Sequence, residues 1–404
     1  MNVLFLTLLD FSTIDERGIY TDLMREFVRN GHDVYIVSPT ERRKKEKTRM
    51  VCDGKTKILK LRIGNTQKTN IIEKGISTLL LETQFKIGIK KNYNNIKFDL
   101  ILYSTPPITL QKSIAYVKKR DGAKTYLMLK DIFPQNAVDL GMLSKKGIKS
   151  FAYKYFRHKE KQLYRISDRI GCMSQANVDY LRRHNPEIPS DRIEICPNSI
   201  EVQDISLQKY ERDEIRRKYN LPIDKKLFVY GGNLGKPQDV PFIVECLRAE
   251  KDNDKVFFLI AGDGTEYDRL ETFVNYEKPE NVCLRKRLPR DDFDRMIVAC
   301  DAGLIFLDHR FTIPNFPSRL LSYMQAGIPV LACTDKNTDV GKVILEGGFG
   351  LWCESNEINN FCEAVSRFAS IDTNQYGNNA LRCVAEEYTS TKCYETIVSK
   401  RKPS

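Results

Sequence analysis

Short apolar runs rich in Val, Ile, Leu and Phe recur along the chain, and most are separated by stretches whose apolar residues repeat at helical spacing. In the first half the runs cover 3–8, 33–38, 58–61, 99–103, 125–129 and 169–173. In the second half they cover 227–230, 256–260, 282–284, 303–306, 329–332 and 350–352. Continuous apolar runs, as opposed to alternating ones, mark strands covered on both faces, as in a parallel sheet flanked by helices. The pattern predicts an α/β protein of two successive Rossmann-like, doubly wound domains facing across a cleft. A length of 404 residues fits two cores better than one. The boundary is expected near Pro197-Asn198-Ser199-Ile200, giving domains at 1–200 and 201–378. A last helical segment, 379–404, is expected to return to the first domain.

Composition changes this picture little, whereas charge adds a demand. No apolar run approaches the ~18 residues of a membrane-spanning helix. The first run lacks a basic leader and a small-residue cleavage site, so a buried strand and a cytoplasmic protein are expected. The eleven cysteines are scattered without a Cys-x-x-Cys pair, and the four histidines show no zinc spacing. Reduced buried thiols and no metal site are expected. The net charge of +12 asks for an anionic partner. Nucleic acid is not expected, because the basic residues are spread without a recognised module.

In doubly wound folds ligands bind at the carboxyl ends of the strands. After 227–230 comes Gly231-Gly232-Asn233-Leu234-Gly235-Lys236, whose glycines would let backbone amides approach a phosphate beside the Lys236 ammonium. A tight turn would favour the same glycines. Gly262-Asp263-Gly264 ends the next strand as a turn. Pro317-Ser318-Arg319 opens a helix where Ser318 can cap and Arg319 adds a cation. Asp131, with Lys130 as its expected partner, follows 125–129, and Ser104-Thr105-Pro106-Pro107 follows 99–103. Gly18 would let a ligand approach the first helix. Two Asp-x-Asp patterns, at 252–254 and 292–294, sit where a turn and a helix start are expected, not a metal.

Two apolar stripes carry basic flanks. One is Ile72, Ile76, Leu79, Leu80 and Phe85 among Lys68, Lys74, Lys86, Lys90 and Lys91. The other is Ile148, Phe151, Ala152, Tyr155 and Phe156 beside Lys145, Lys146, Lys149, Lys154 and Arg157. Core packing accounts for such stripes in general, and attachment to an anionic membrane is the alternative.

Several segments, in order, resemble the GT-B-fold glycosyltransferases of family 4, above all bacterial enzymes that build surface polysaccharide on lipid carriers. They are Asn30-Gly31-His32-Asp33-Val34, Ser167-Asp168-Arg169-Ile170, Pro197-Asn198-Ser199-Ile200, Gly231 to Lys236, and Pro317-Ser318-Arg319-Leu320 with Ala326-Gly327-Ile328-Pro329-Val330. The resemblance implies retaining, metal-independent transfer from a UDP- or GDP-sugar held by the second domain. The acceptor, a lipid-diphosphate-linked or other saccharide, would be held by the first. The nucleotide sugar is a substrate, and no cofactor is implied. By the same resemblance Asp131, Lys236 and Arg319 would take the catalytic roles. Gly18, Gly232, Asn233, Gly235, Gly262, Asp263, Leu288, Pro317, Ser318, Leu320 and Ser322 would contact the donor; Ser104, Thr105 and Lys130 would contact the acceptor. The protein would lie peripherally at the inner face of the cell membrane. Two departures stand out. Asn233 occupies a position where the family often has arginine, with Lys236 and Gln238 both in register for its lysine. Of the family's paired glutamates, the first falls near Pro314 and the second on Ser322. A sugar-nucleotide epimerase on the same fold and a catalytically silent scaffold subunit are the rival readings.

Overall fold

The twelve predicted runs all become strands, and two further strands join them among the described residues. The computed structural model describes residues 1–66, 69–203, 205, 209–286 and 288–399; Lys68 and the side chain of Ile72 lie outside what it describes. The chain forms two compact units. The first is Met1–Glu201 plus the tail from Ser390, and the second is Val202–Thr389.

In the first unit the strands are β1 (Asn2–Leu6), β2 (Asp33–Glu41), β3 (Arg49–Asp53), β4 (Thr56–Ile63), β5 (Leu100–Ser104), β6 (Lys124–Leu129), β7 (Arg169–Cys172) and β8 (Ile193–Ile195). They form one sheet in the order β3-β4-β2-β1-β5-β6-β7-β8, parallel except where β3 pairs with β4. The two strands absent from the apolar pattern are the edges β3 and β8. Four of the five β3 residues are exposed, so no hydrophobic run could announce it. Five helices matter for the site: α1 (Ile19–Arg29), α2 (Ile71–Asn92), α3 (Gln111–Asp121), α4 (Gln135–Asp139) and α5 (Lys149–Ile166). Alternate strand residues feed two cores, as a period of two requires. Leu4 and Leu6 pack with Phe85 of α2, Ile114 of α3 and Leu163 of α5. Val3 and Phe5 pack with Phe27 of α1 and with Cys393 and Ile397 of the terminal helix.

The second unit is a six-stranded parallel sheet. Its strands are β9 (Lys226–Asn233), β10 (Val256–Asp263), β11 (Val282–Arg285), β12 (Ala302–Phe306), β13 (Val330–Thr334) and β14 (Gly350–Glu354), in the order β11-β10-β9-β12-β13-β14. The strand order reverses between β9 and β12, the place where such sheets bind ligands.

The expected single helix over 379–404 is corrected. It divides into Asn374–Glu387, which stays with the second unit, and Ser390–Ser399, which belongs to the first. The first of these helices is tied to its own unit: Gly377 lies so close to Gly327 that an added Cβ would sit 2.2 Å from the Gly327 carbonyl oxygen. The chain then hands over at Ser390, whose N–H donates to the Ile200 carbonyl at 2.9 Å. Among the described residues, no helix is long and apolar enough to cross a membrane.

Candidate functional site

At the carboxyl edge of the second sheet, the expected glycine loop is in fact strand. Gly231, Gly232 and Asn233 stay in register with Ala261, Gly262 and Asp263, so β9 runs three residues past the apolar pattern. Glycine is demanded by contact rather than by a turn. A Cβ on Gly231 would lie 1.7 Å from the Phe293 ring, and one on Gly262 would lie 2.2 Å from the Gly232 carbonyl oxygen. The turn proper is Leu234-Gly235 followed by a 3-10 segment, Lys236–Gln238. Gln238 is buried, and its Oε1 accepts from Asn233 Nδ2 (2.7 Å) and the Gly235 N–H (3.2 Å). Lys236 is exposed, and its ammonium has no recorded partner among the described residues. The two candidate positions are thereby separated: Gln238 and Asn233 brace the turn, and Lys236 presents the charge.

Arg319 comes to the same place. Its guanidinium lies over the Tyr230 ring, 4.3 Å from the centroid, and a Cβ on Gly232 would be 3.1 Å from its Nη2. Its Nη1 is shut off from solvent and has no hydrogen-bond partner. A buried guanidinium donor without an acceptor is costly, so this atom marks where an anionic ligand would be welcome. Tyr323 locks the helix Arg319–Gln325 in place: its hydroxyl accepts the Gly231 N–H (3.1 Å) and donates to the Leu304 carbonyl (3.2 Å). Burial pushes the phenols of Tyr230 and Tyr323 up, so both stay neutral donors.

Other donor candidates are placed less favourably. Ser318 does not cap: it already has helical dihedrals (φ −63°, ψ −21°), which take its hydroxyl away from the free N–H groups. Leu320 is fully buried, Pro317, Ser322 and Leu288 are half-buried, and Asp263 is exposed opposite Asn233. Nearby, Asp239, Asp308 and His309 bring possible ligand atoms within 4.8 Å of one another. Asp308 already engages Arg310 through both oxygens, which holds its carboxyl below the usual range despite burial. The group therefore reads as an ion-pair network.

In the first unit the Thr105 hydroxyl ties the ends of β5 and β6 together. It accepts the N–H groups of Lys130 and Asp131, both at 3.1 Å, and donates to the Asp131 carbonyl at 2.9 Å. Ser104 is buried. The expected Lys130–Asp131 pair is not formed, because the Lys130 ammonium points to the Cys196 carbonyl, 3.4 Å away. Asp131 is held by Asn136, whose Nδ2 donates to both carboxylate oxygens at 2.8 Å. Burial raises the Asp131 pKa to about 6, against the opposing pull of the Ile132 N–H and Asn136. Asn136 escaped the sequence reading, and a polar residue opening the short helix α4 was its one signal. Gly18, at the start of α1, donates its N–H to Asp22 (2.9 Å) and lies in the first unit, whereas the other donor candidates lie in the second.

Comparison with known proteins places the chain among glycosyltransferases. Residues 19–204 match the family model Glycosyltransferase Family 4, and residues 211–382 match Glycosyl transferases group 1. The chain belongs to glycosyltransferase family 4. A curated relative of this transferase, "Probable glycosyltransferase WbjE" of Pseudomonas aeruginosa, is 22% identical over 340 residues, covering 84% of this chain and 82% of the relative. WcaI of Escherichia coli K12, whose name assigns it to colanic acid biosynthesis, is 22% identical over 61% of this chain and 60% of its own. Among solved structures, Anabaena HepE in complex with UDP-glucose superimposes with a TM-score of 0.67 at 13% identity, over 99% of both chains. That likeness speaks to the fold, a pair of GT-B-type α/β domains.

Proposed function

We propose that this transferase moves a sugar from a UDP- or GDP-sugar to a lipid-diphosphate-linked saccharide, with retained anomeric configuration, in bacterial surface-polysaccharide synthesis. The observation that carries the donor side is the Arg319 guanidinium, stacked on Tyr230 against Gly232 with an unsatisfied Nη1. Breaking the bond to a nucleoside diphosphate places negative charge on the leaving phosphate. Preorganised donors aimed at that charge lower the barrier because they need no rearrangement during reaction. Arg319 and the exposed Lys236 supply those donors at one strand edge, and the Gly232 backbone allows close approach. In this reading no bound metal is needed for charge neutralisation. Asp131 contacts the acceptor or the transferred sugar. HepE, of the same fold, binds UDP-glucose by its description, which supports a nucleotide-sugar donor, and the WcaI name supports a role in polysaccharide synthesis.

A panel of nucleotide sugars screened for thermal stabilisation tests the reading, since ligands of the folded state raise the melting midpoint by mass action. The true donor should raise Tm in the wild-type chain and much less in Arg319→Ala. Transfer onto a lipid-diphosphate-linked saccharide should then follow. Conversion of the donor without any acceptor would favour an epimerase, and donor binding without transfer to any acceptor would favour a scaffold.

A further inference from the structure

The two basic apolar stripes are far apart in sequence, yet one buried ion pair joins the helices that carry them. Glu82 Oε2 of α2 lies 3.1 Å from Lys159 Nζ of α5, with each side chain 10% exposed. Glu82 also accepts the Lys112 N–H at the start of α3 (2.6 Å), and its carbonyl accepts the Ser113 hydroxyl (2.7 Å). At this level α3 is only beginning, whereas α2 and α5 are well under way. Crossover helices run back against their strands, so all three start toward the carboxyl edge of the sheet. About ten residues of both α2 and α5, roughly 15 Å of helix at the usual rise, therefore overshoot α3 at that edge. Asp131 follows β6 at the same edge.

The overhangs carry large apolar side chains that meet solvent, as does Ile87 (60% exposed) farther along α2. Ile76, Leu79 and Leu80 of α2 are 55%, 56% and 49% exposed, and Ile148 and Phe151 are 90% and 75% exposed. These are not core residues lying slightly open. The core of α2 is built from its other face, where Leu81, Phe85 and Ile89 are at most 1% exposed. The acids of the two helices are all turned inward or engaged. Glu73 accepts from Arg42, Asn65 and Thr69; Glu82 is paired as described; Glu160 accepts from Arg157 and Tyr164. Lys74, Lys145, Lys146, Lys149 and Lys154 remain exposed, with no carboxylate partner among the described residues. From Met142 to Lys159 the sequence contains no acid at all.

We infer that the overhanging starts of α2 and α5 form a single docking face for an anionic bilayer. The apolar side chains enter the headgroup–acyl boundary while the unpaired lysines meet lipid phosphate. The inference deepens the reading of a lipid-linked acceptor, because the same edge carries Asp131. The face itself rests on exposure and charge alone.

Co-sedimentation of the full chain with vesicles decides it. Binding to vesicles of phosphatidylcholine mixed with phosphatidylglycerol should exceed binding to phosphatidylcholine alone by roughly tenfold or more, and should weaken with salt. Leu80→Asp and Phe151→Asp, on different helices, should each reduce binding about tenfold with Tm unchanged. Equal binding to the two vesicle types would overturn the proposal, as would wild-type binding by either variant. So would a wild-type dimer, seen by ultracentrifugation without lipid, that both variants dissolve, because the face would then be a self-contact. Vesicle binding requires no turnover, and the donor-induced Tm shift is read on the same variants. A failed docking face and a failed transferase reading therefore give different results.

Discussion

Arg319 and Lys236 carry the same formal charge at the same strand edge, yet their environments make them unequal. Arg319 is packed against Tyr230 with a desolvated, unsatisfied donor, whereas Lys236 is in solvent. A charge-assisted hydrogen bond in the first setting is worth about 1.5–3 kcal/mol, and an exposed pairing about 0.2–1 kcal/mol. By calorimetry, Arg319→Ala should weaken nucleoside-diphosphate binding roughly 10- to 100-fold and Lys236→Ala only a few-fold. Unchanged affinity in both variants would remove the site. Asp131 supplies a pH prediction. With its pKa raised to about 6, it is protonated below that value and ionised above it. If the ionised form works on the acceptor, kcat/KM falls as pH drops through about 6, and Asp131→Asn shows no such limb. The stability linkage runs the other way. A carboxyl whose folded pKa lies above its unfolded value stabilises fully below about 4 and loses that contribution as pH rises toward about 6. Asp131 was legible in the sequence because a charged residue directly follows an apolar strand. Its partner was not: Lys130 is adjacent in sequence, but chain direction points it elsewhere, and Asn136 reaches back from the next helix.

At the scale of elements, apolar pattern located the buried strands and missed β3, whose residues meet water on both faces. It also stopped β9 at Tyr230, because glycines carry no hydrophobic signal. Only the neighbouring strand and Phe293 reveal why side chains are forbidden there. Gly262→Ala tests that account. Its Cβ would strike backbone, which no rotamer change can relieve, so unfolding in denaturant should show a loss of about 1–3 kcal/mol. Donor binding should weaken with it. Wild-type stability in this variant would show that the β9–β10 edge is looser than its geometry implies. The stripes on α2 and α5 make the complementary point. Helical spacing groups Ile76 with Phe85 in one apolar list, but the fold buries Phe85 completely and leaves Ile76 more than half exposed.

At the scale of the whole molecule, the last described helix lies in the unit that holds the first strand. The helix Ser390–Ser399 covers α1: Tyr394 packs edge-on against Phe27 (4.9 Å between centroids), and its hydroxyl lies 2.9 Å from His32 Nε2. Cys393 and Ile397 complete that core. Ending the chain at Thr389 should therefore destabilise the first unit selectively. In calorimetry the transition of that unit should move several degrees lower, while the other stays in place. A uniform shift of both would show that the units melt as one. By itself, the sequence determined two parallel-sheet domains and the glycosyltransferase family, because buried strands must be apolar and the motifs are local. Tertiary structure alone decided which of Lys236 and Gln238 faces solvent, what holds Asp131, and that a buried ion pair joins α2 to α5. Those outcomes depend on side chains meeting across distant segments, through contacts that no local pattern records.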